Sequence, residues 1–255
     1  MRLLLKASII ILSIFHYSVF ANALPKVIKQ VKPSVVGIGI HTPLSRPQNI
    51  LRGTGFVIGD GSYVITNDHV LPLLLDEALN QKMAVFVGSG NNAQVRDAEI
   101  IDRSKTYDLA ILKLSGKKLP ALKLADKNYL DEGSSIAFTG FPIGAVLGLY
   151  PVTHRGIISA VTPVVIPVDD AGQISIKMLK RMRDPYMVYQ LDAVAYPGNS
   201  GSALYQADNG KVIGVINKVF VQETKESVIS KPSGITYAIP VKYVHELLEK
   251  NNIRL

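Results

Sequence analysis

Short apolar runs rich in β-branched residues recur along the chain from residue 34 onward. Most are bounded by Gly, Pro, Asn, Asp or Ser, the residues that punctuate the strands of sandwiches and barrels. The runs predict strands at residues 34–40, 55–58, 63–66, 84–87, 109–114, 135–138, 156–161, 187–191, 212–216 and 235–239. This pattern is typical of an all-β protein.

Two segments have a helical spacing of apolar residues instead. Residues 24–32 fit one short amphipathic helix that Pro33 ends, because the residue before a proline disfavours the helical conformation. Near the other end, residues 241–250 place Val244, Leu247 and Leu248 on one face. We therefore expect one helix at each end of the β region.

A polar, Lys-rich segment at residues 115–133 divides the predicted strands into two groups of similar size. It is the expected linker between two barrels. The predicted organisation is thus an N-terminal barrel within 24–130 and a C-terminal barrel within 131–255.

The first 23 residues have the features of a secretory signal peptide. Arg2 and Lys6 form a positive n-region, an apolar stretch follows, and Ala-Asn-Ala at 21–23 has the form of a cleavage site. We predict a signal peptide at 1–23, export to the periplasm or the medium, and no stable membrane insertion after cleavage. An uncleaved anchor is the alternative, but Ser13 and His16 interrupt a stretch that is short for a span of about 20 residues.

Composition excludes several classes of function. The chain has no cysteine, which excludes disulfides, thiolate metal sites and a cysteine nucleophile. Loss of Arg2 and Lys6 with the signal peptide would lower the net charge from +8 to +6. No basic array interleaved with aromatic residues is present, so nucleic acid is not an expected partner. The basic insertion at 169–184 is interpreted as a solvated loop or helical turn rather than a site for an acidic partner.

Ser200 lies in the run Pro-Gly-Asn-Ser-Gly-Ser-Ala-Leu at 197–204. A serine hydroxyl becomes a useful nucleophile only when a base removes its proton and donors stabilise the oxyanion. The flanking glycines would let the backbone N–H groups of Gly198 and Ser200 point at one spot, with Asn199 helping to shape the turn. The alternative is an ordinary turn, since these residues are common turn formers.

Two further residues could complete such a site. His69 follows the predicted strand at 63–66, where a ring can face a cleft. Asp108 directly precedes the predicted strand at 109–114, where an unpaired buried carboxylate would be costly to desolvate. A histidine held through its other ring nitrogen would be a suitable partner for that carboxylate.

At these blocks the sequence resembles the trypsin-like serine proteases, most closely the protease domain of the HtrA/Deg family. The resemblance rests on P-S-V-V-G-I at 33–38, G-T-G-F-V-I at 53–58, V-I-T-N-D-H-V-L at 64–71, Y-D-L-A-I-L-K-L at 107–114, L-D-A-V-A-Y-P-G-N-S-G at 191–201 and I-T-Y-A-I-P at 235–240. It implies a chymotrypsin-like fold of two six-stranded antiparallel β-barrels. It also implies a catalytic triad of His69, Asp108 and Ser200 in an endopeptidase that forms an acyl-enzyme. Neither a cofactor nor a metal is implied, and unfolded or extended proteins are the expected substrates.

Two features depart from the family. Ser202 stands where a second glycine usually follows Ser-Gly. The family commonly appends a PDZ domain, whereas this chain ends after the predicted terminal helix. Chaperone-like assembly and peptide-activated regulation are therefore not expected from the resemblance.

Substrate preference is predicted from the position six residues before the nucleophile, where trypsin carries an aspartate. Val194 occupies it here and offers no counter-ion to a substrate Lys or Arg, so a small or medium aliphatic side chain is expected to fit best. Asp192 is interpreted as structural. The predicted substrate-binding residues are Val194, Tyr196, Val215, Ile216 and Asn217.

Two other functions stay open. One is a proteolytically silent peptide-binding or chaperone-like protein on the same scaffold, and the other is an exported esterase with the same triad. His154 is expected to be a structural histidine, because nothing supplies it with a nucleophile. No His-Glu-x-x-His zinc site, phosphate loop or calcium loop is present. The oligomeric state does not follow from the sequence.

Overall fold

The structure, a computed structural model, describes residues 23–142, 149–164, 185–217 and 235–255. The predicted signal peptide, apart from Ala23, and the basic insertion at 169–184 lie outside these residues. No helix among the described residues is long and apolar enough to cross a membrane.

Twelve described strands form two closed six-stranded barrels. The first barrel has the order β1-β2-β3-β6-β5-β4 and the second β10-β11-β12-β9-β8-β7, with every neighbouring pair antiparallel. The strands of the first barrel are β1 (Val35–His41), β2 (Asn49–Ile58), β3 (Tyr63–Thr66), β4 (Lys82–Val87), β5 (Gln94–Ser104) and β6 (Leu109–Leu114). Those of the second are β7 (Ser135–Gly140), β8 (Val152–Pro163), β9 (Met187–Asp192), β10 (Ala203–Gln206), β11 (Val212–Asn217) and β12 (Ile235–Pro240). The predicted fold class is confirmed.

One helix lies at each end of the described β region, as predicted. Helix α1 (Leu24–Val31) buries Val27 and Val31, which are one turn apart on the same face. A 3₁₀ turn, Lys32–Ser34, follows it and contains Pro33. Helix α2 (Val241–Lys250) buries the predicted apolar face.

Three apolar clusters account for the continuous apolar runs in the sequence. One cluster lies within each barrel, and the third draws on both barrels and both helices. In β2, Val57 packs in the first barrel's own cluster, whereas Phe56 and Ile58 on its other face pack in the shared cluster. In a strand that is buried on both faces, apolar and polar residues do not alternate, so its sequence is a continuous apolar run. The shared cluster fixes the two barrels against each other.

Two of the twelve strands lie outside the predicted runs, β5 and β10. Most residues of β5 are exposed or half-buried, so its sequence is largely polar and lacks an apolar run. Strand β10 has four residues and directly follows the glycine-rich turn that contains Ser200.

Candidate active site

His69 and Asp108 contact each other in the first barrel, where β3 ends and β6 begins. The ring lies in a 3₁₀ turn, Asp68–Val70, that follows β3. Its Nδ1 is 2.6 Å from Asp108 Oδ2, and the His69 backbone N–H donates to Asp108 Oδ1 at 2.9 Å. The ring stays one-third exposed, compared with 18% for the Asp108 side chain. Two contacts therefore fix the imidazole orientation while part of the ring faces solvent.

Asp108 has an unusual backbone conformation that is tied to the histidine turn. Its φ of +51° lies in the left-handed region, which aspartate tolerates better than most residues. Its carbonyl oxygen accepts hydrogen bonds from Asp68 N at 3.2 Å and Asn67 Nδ2 at 3.0 Å. The residues just before His69 thus hold the start of β6 in place.

A third donor reaches the Asp108 carboxylate from the other barrel. Asn217, the last residue of β11, is fully buried, and its Nδ2 donates to Asp108 Oδ2 at 2.7 Å. Sequence reasoning placed Asn217 among substrate-binding residues and missed this bond. The sequence feature that could have predicted this bond is an amide side chain at the end of an apolar strand, because a buried amide requires hydrogen-bond partners.

Arg103 supports the histidine turn from β5, a role that sequence reasoning also missed. Its Nε donates to Asp68 Oδ1, and its Nη2 donates to the Asp68 carbonyl at 3.2 Å. Both side chains are largely buried. A charged pair of this kind orders the residue that precedes His69.

Ser200 follows a tight turn. Asn199 N donates to Tyr196 O at 3.0 Å, Pro197 occupies the second position, and Gly198 has a φ of +99°, all features of a type II turn. Among the described residues, the N–H groups of Gly198 and Ser200 donate to no partner. These two amides are available for an acceptor at the turn, which is what the predicted oxyanion site would require.

Thr54 of β2 joins this turn to the first barrel. Its backbone N–H donates to Ser200 O at 2.8 Å, and its hydroxyl donates to Gly198 O at 2.7 Å. The same hydroxyl accepts a hydrogen bond from Phe141 N at 3.0 Å. Thr54 is fully buried, so the three bonds form a water-excluded connection between the two barrels.

Gly53 lies between Val70, the residue after His69, and the backbone of Ser200. A Cβ added there would come within 2.7 Å of Val70 Cγ2 and 2.9 Å of the Ser200 carbonyl oxygen. Only glycine allows this approach, which brings Ser200 beside the chain segment that carries His69. The Ser200 hydroxyl forms no hydrogen bond with His69 in this structure. Such contacts are often long in substrate-free enzymes.

The predicted substrate-binding residues fall into three settings. Val194 and Tyr196 are half-buried. Val215 and Ile216 are fully buried on opposite faces of β11, so only their backbones could contact a ligand without rearrangement. Asn217 is bound to Asp108.

The segment around Val194 is held by one hydroxyl. Thr236 Oγ1 donates to Ala193 O at 2.6 Å and accepts from Ala195 N at 3.1 Å. Asp192 is exposed, so its carboxylate is solvated and not a buried charge. Within the described ranges, no group of three or more His, Cys, Asp or Glu residues could hold a metal ion.

Comparison with known proteins places these residues in a known context. The family model of the trypsin-like peptidase domain matches residues 53–215. A Halomonas elongata protein named "Probable periplasmic serine endoprotease DegP-like" is 29% identical over 199 residues, 78% of this chain and 34% of that protein. A Chlamydia muridarum protein of the same name is 33% identical over 207 residues, 80% of this chain and 35% of that protein. The chain therefore spans about a third of the length of these relatives.

Solved structures share the fold. The serine endoprotease from Yersinia pestis aligns with a TM-score of 0.62 at 23% identity, covering 89% of this chain and 66% of that one. The HtrA-type protease AlgW with a tripeptide also aligns with a TM-score of 0.62, at 24% identity, covering 89% of this chain and 62% of that one.

Gly201→Ala tests the close packing of the turn against β2. Gly201 has a φ of +87°, and an added Cβ would lie 2.0 Å from the Thr54 carbonyl oxygen. Gly116 has a similar φ of +84° with nothing within 4 Å of its added Cβ, so Gly116→Ala is the matched control. We expect Gly116→Ala to lower the free energy of unfolding by about 1–2 kcal/mol and Gly201→Ala by about 2 kcal/mol more. Denaturant unfolding measures both, and equal losses would contradict the described packing.

Proposed function

Because this chain belongs to the trypsin-like peptidase family, we propose that it is an exported serine endopeptidase with His69, Asp108 and Ser200 as its catalytic triad. The observation that carries the proposal is the His69–Asp108 pair at 2.6 Å, set beside the Ser200 turn with its two available amides. A carboxylate that orients an imidazole beside a serine is the arrangement that acyl transfer requires.

The proposed reaction starts at the Ser200 hydroxyl. Ser200 Oγ attacks the substrate carbonyl carbon while His69 Nε2 takes its proton, and Asp108 holds Nδ1–H and stabilises the imidazolium. The C–N bond then breaks as His69 returns the proton to the leaving amine. Water, deprotonated by His69, attacks the ester carbonyl and releases the second product with Ser200 restored.

The oxyanion formed at each attack would be held by backbone amides. The N–H groups of Gly198 and Ser200 are the proposed donors, and the Asn199 backbone closes the turn that positions them. The loss of one such donor typically costs about 3–4 kcal/mol of barrier stabilisation. The Thr54 bond to the Gly198 carbonyl supports this role, because it fixes the Gly198–Asn199 peptide group, which lies between the two peptide groups that carry the donors.

The proposed substrates are unfolded or extended proteins outside the cytoplasm. The relatives are named as periplasmic endoproteases, which supports export, as does the signal-like segment at 1–23. We propose periplasmic or secreted localisation on this basis.

The proposed preference is for small or medium aliphatic side chains before the scissile bond. Val194 would form an apolar floor to the specificity pocket, and the exposure of Asp192 gives no buried counter-ion for a basic side chain. Thr236 would keep the floor in place through its bonds to the residues on either side of Val194.

Ser200→Ala is expected to abolish labelling by a fluorophosphonate probe and cleavage of casein while leaving thermal unfolding unchanged. Ser202→Ala is the matched control, since the Ser202 hydroxyl is buried and has no hydrogen-bond partner among the described residues, and it should label like the wild type. Full labelling of Ser200→Ala would reject Ser200 as the nucleophile. Turnover of short esters without casein cleavage would favour the esterase. The absence of both activities would favour the silent binding protein.

Val194→Asp is expected to admit Lys or Arg before the scissile bond. Peptide-library profiling should show an aliphatic preference for the wild type and a gain of roughly 10-fold in relative cleavage after basic residues for the variant. Val95→Asp, at a partly exposed site on β5, is the control and should keep the wild-type profile. A folded Val194→Asp protein with an unchanged profile would remove Val194 from the pocket.

A further inference from the structure

His154 is a half-buried imidazole outside the proposed triad, on the strand that pairs with β7. In β8 it lies opposite Phe138, and the two rings stack with centroids 4.9 Å apart and an interplanar angle of 19°. Phe138 is fully buried in the cluster of the second barrel. The ring therefore has a fixed orientation set by the barrel core.

The other contacts of this ring are with the Ser200 turn. The ring of Tyr196, the first residue of the turn, has its centroid 5.9 Å from that of His154, with an interplanar angle of 44°. His154 Nε2 is 3.4 Å from Nδ2 of Asn199, the residue before Ser200. His154 thus contacts the first and last residues of the four-residue turn that contains Gly198 and directly precedes Ser200.

Asn199 has few other partners for its side chain. The residue is fully buried, and its Oδ1 has no hydrogen-bond partner among the described residues. Gly140 lies against that oxygen, since a Cβ added at Gly140 would come within 2.8 Å of it. Among the described residues, the imidazole is consequently the one hydrogen-bond partner of the Asn199 side-chain amide, and the rotation of this amide depends on His154.

We propose that His154 is a positioning residue for the nucleophile turn, with its neutral Nε2 accepting a hydrogen bond from Asn199 and its ring supporting Tyr196. The proposal rests on the proposed function, because its catalytic consequence is the placement of the Gly198 and Ser200 amides. The role belongs to the neutral ring, since a protonated Nε2 is a donor and would face the Nδ2 donor of Asn199.

Burial favours this neutral form and lowers the pKa of His154 below its ordinary value of 6.5. Of the described residues that pack on the ring, Tyr196 from the turn is titratable, whereas Phe138 from β7 and Asn199 are not. Arg155, its neighbour in β8, lines a different cavity with Ser135 and Gln206. With a lowered pKa the contact is intact above about pH 6.5 and is lost as pH falls through the folded-state value.

Two variants separate the hydrogen bond from the ring. His154→Phe keeps a stacked ring but removes the acceptor, and His154→Gln supplies an acceptor that does not protonate. Nuclear magnetic resonance of the Asn199 side-chain NH₂ group, recorded in the Ser200→Ala background, reports the contact without any need for activity. We expect the NH₂ resonances to shift in His154→Phe and to return toward wild-type positions in His154→Gln. Unchanged resonances in His154→Phe would overturn the proposal even if Ser200 proves to be the nucleophile.

Kinetics test the effect on the turn. For a short peptide substrate, kcat should fall about 2- to 10-fold in His154→Phe with little change in KM, the range expected for one hydrogen bond, and recover in His154→Gln. The ratio of kcat in His154→Gln to kcat in the wild type should rise as pH falls from 8, because only the wild type loses the contact by protonation of residue 154. The contribution of His69 is common to both proteins and cancels in the ratio. His245→Gln, whose ring contacts Ala125 O, is the control and should show a constant ratio. A constant ratio for His154→Gln down to the pH at which the wild type unfolds would contradict the positioning role.

Discussion

The carboxylate of Asp108 lies where the two barrels meet and receives donors from both. His69 of the first barrel and Asn217 of the second contact the same oxygen, Oδ2, at 2.6 and 2.7 Å, while Oδ1 accepts the His69 backbone N–H. A hydrogen bond to a charged group contributes about 1.5–3 kcal/mol, and a partly buried carboxylate without such donors would be costly. The orientation of the imidazole therefore depends on the correct docking of one barrel on the other. A site of this kind forms only when the whole fold has formed.

That docking is achieved without disulfides, since the chain has no cysteine. An apolar cluster shared by both barrels and both helices supplies the packing. Thr54 adds specific contacts, with its backbone bound to the Ser200 carbonyl and its hydroxyl bound to the Gly198 carbonyl. Gly53 permits the close approach that these bonds need. The same short segment of β2 thus sets both the barrel interface and the position of the nucleophile turn.

The apolar runs and their spacing were sufficient to predict two barrels and the terminal helices, whereas the contact of His69 with Asp108 was implied by the resemblance of the sequence blocks to the trypsin-like proteases. Strand β5 was not predicted because a strand without fully buried residues has no continuous apolar run. Three hydrogen bonds to the site were also not predicted, those of Asn217, Arg103 and Thr54. They join residues 35 to 144 positions apart in the sequence, and a local sequence pattern does not indicate such partners. His154 was expected to be structural, and its contact with Asn199 became visible only when β8 was placed beside the turn.

We propose that Ser200, His69 and the two turn amides act together on one carbonyl group. A crystal structure of the protein after reaction with a peptidyl phosphonate would test it most directly. We expect a covalent bond from Ser200 Oγ to phosphorus, a phosphonyl oxygen within hydrogen-bond distance of the N–H groups of Gly198 and Ser200, and the His69 ring still bound to Asp108. An adduct on another residue, or an imidazole turned away from both Asp108 and the adduct, would contradict it.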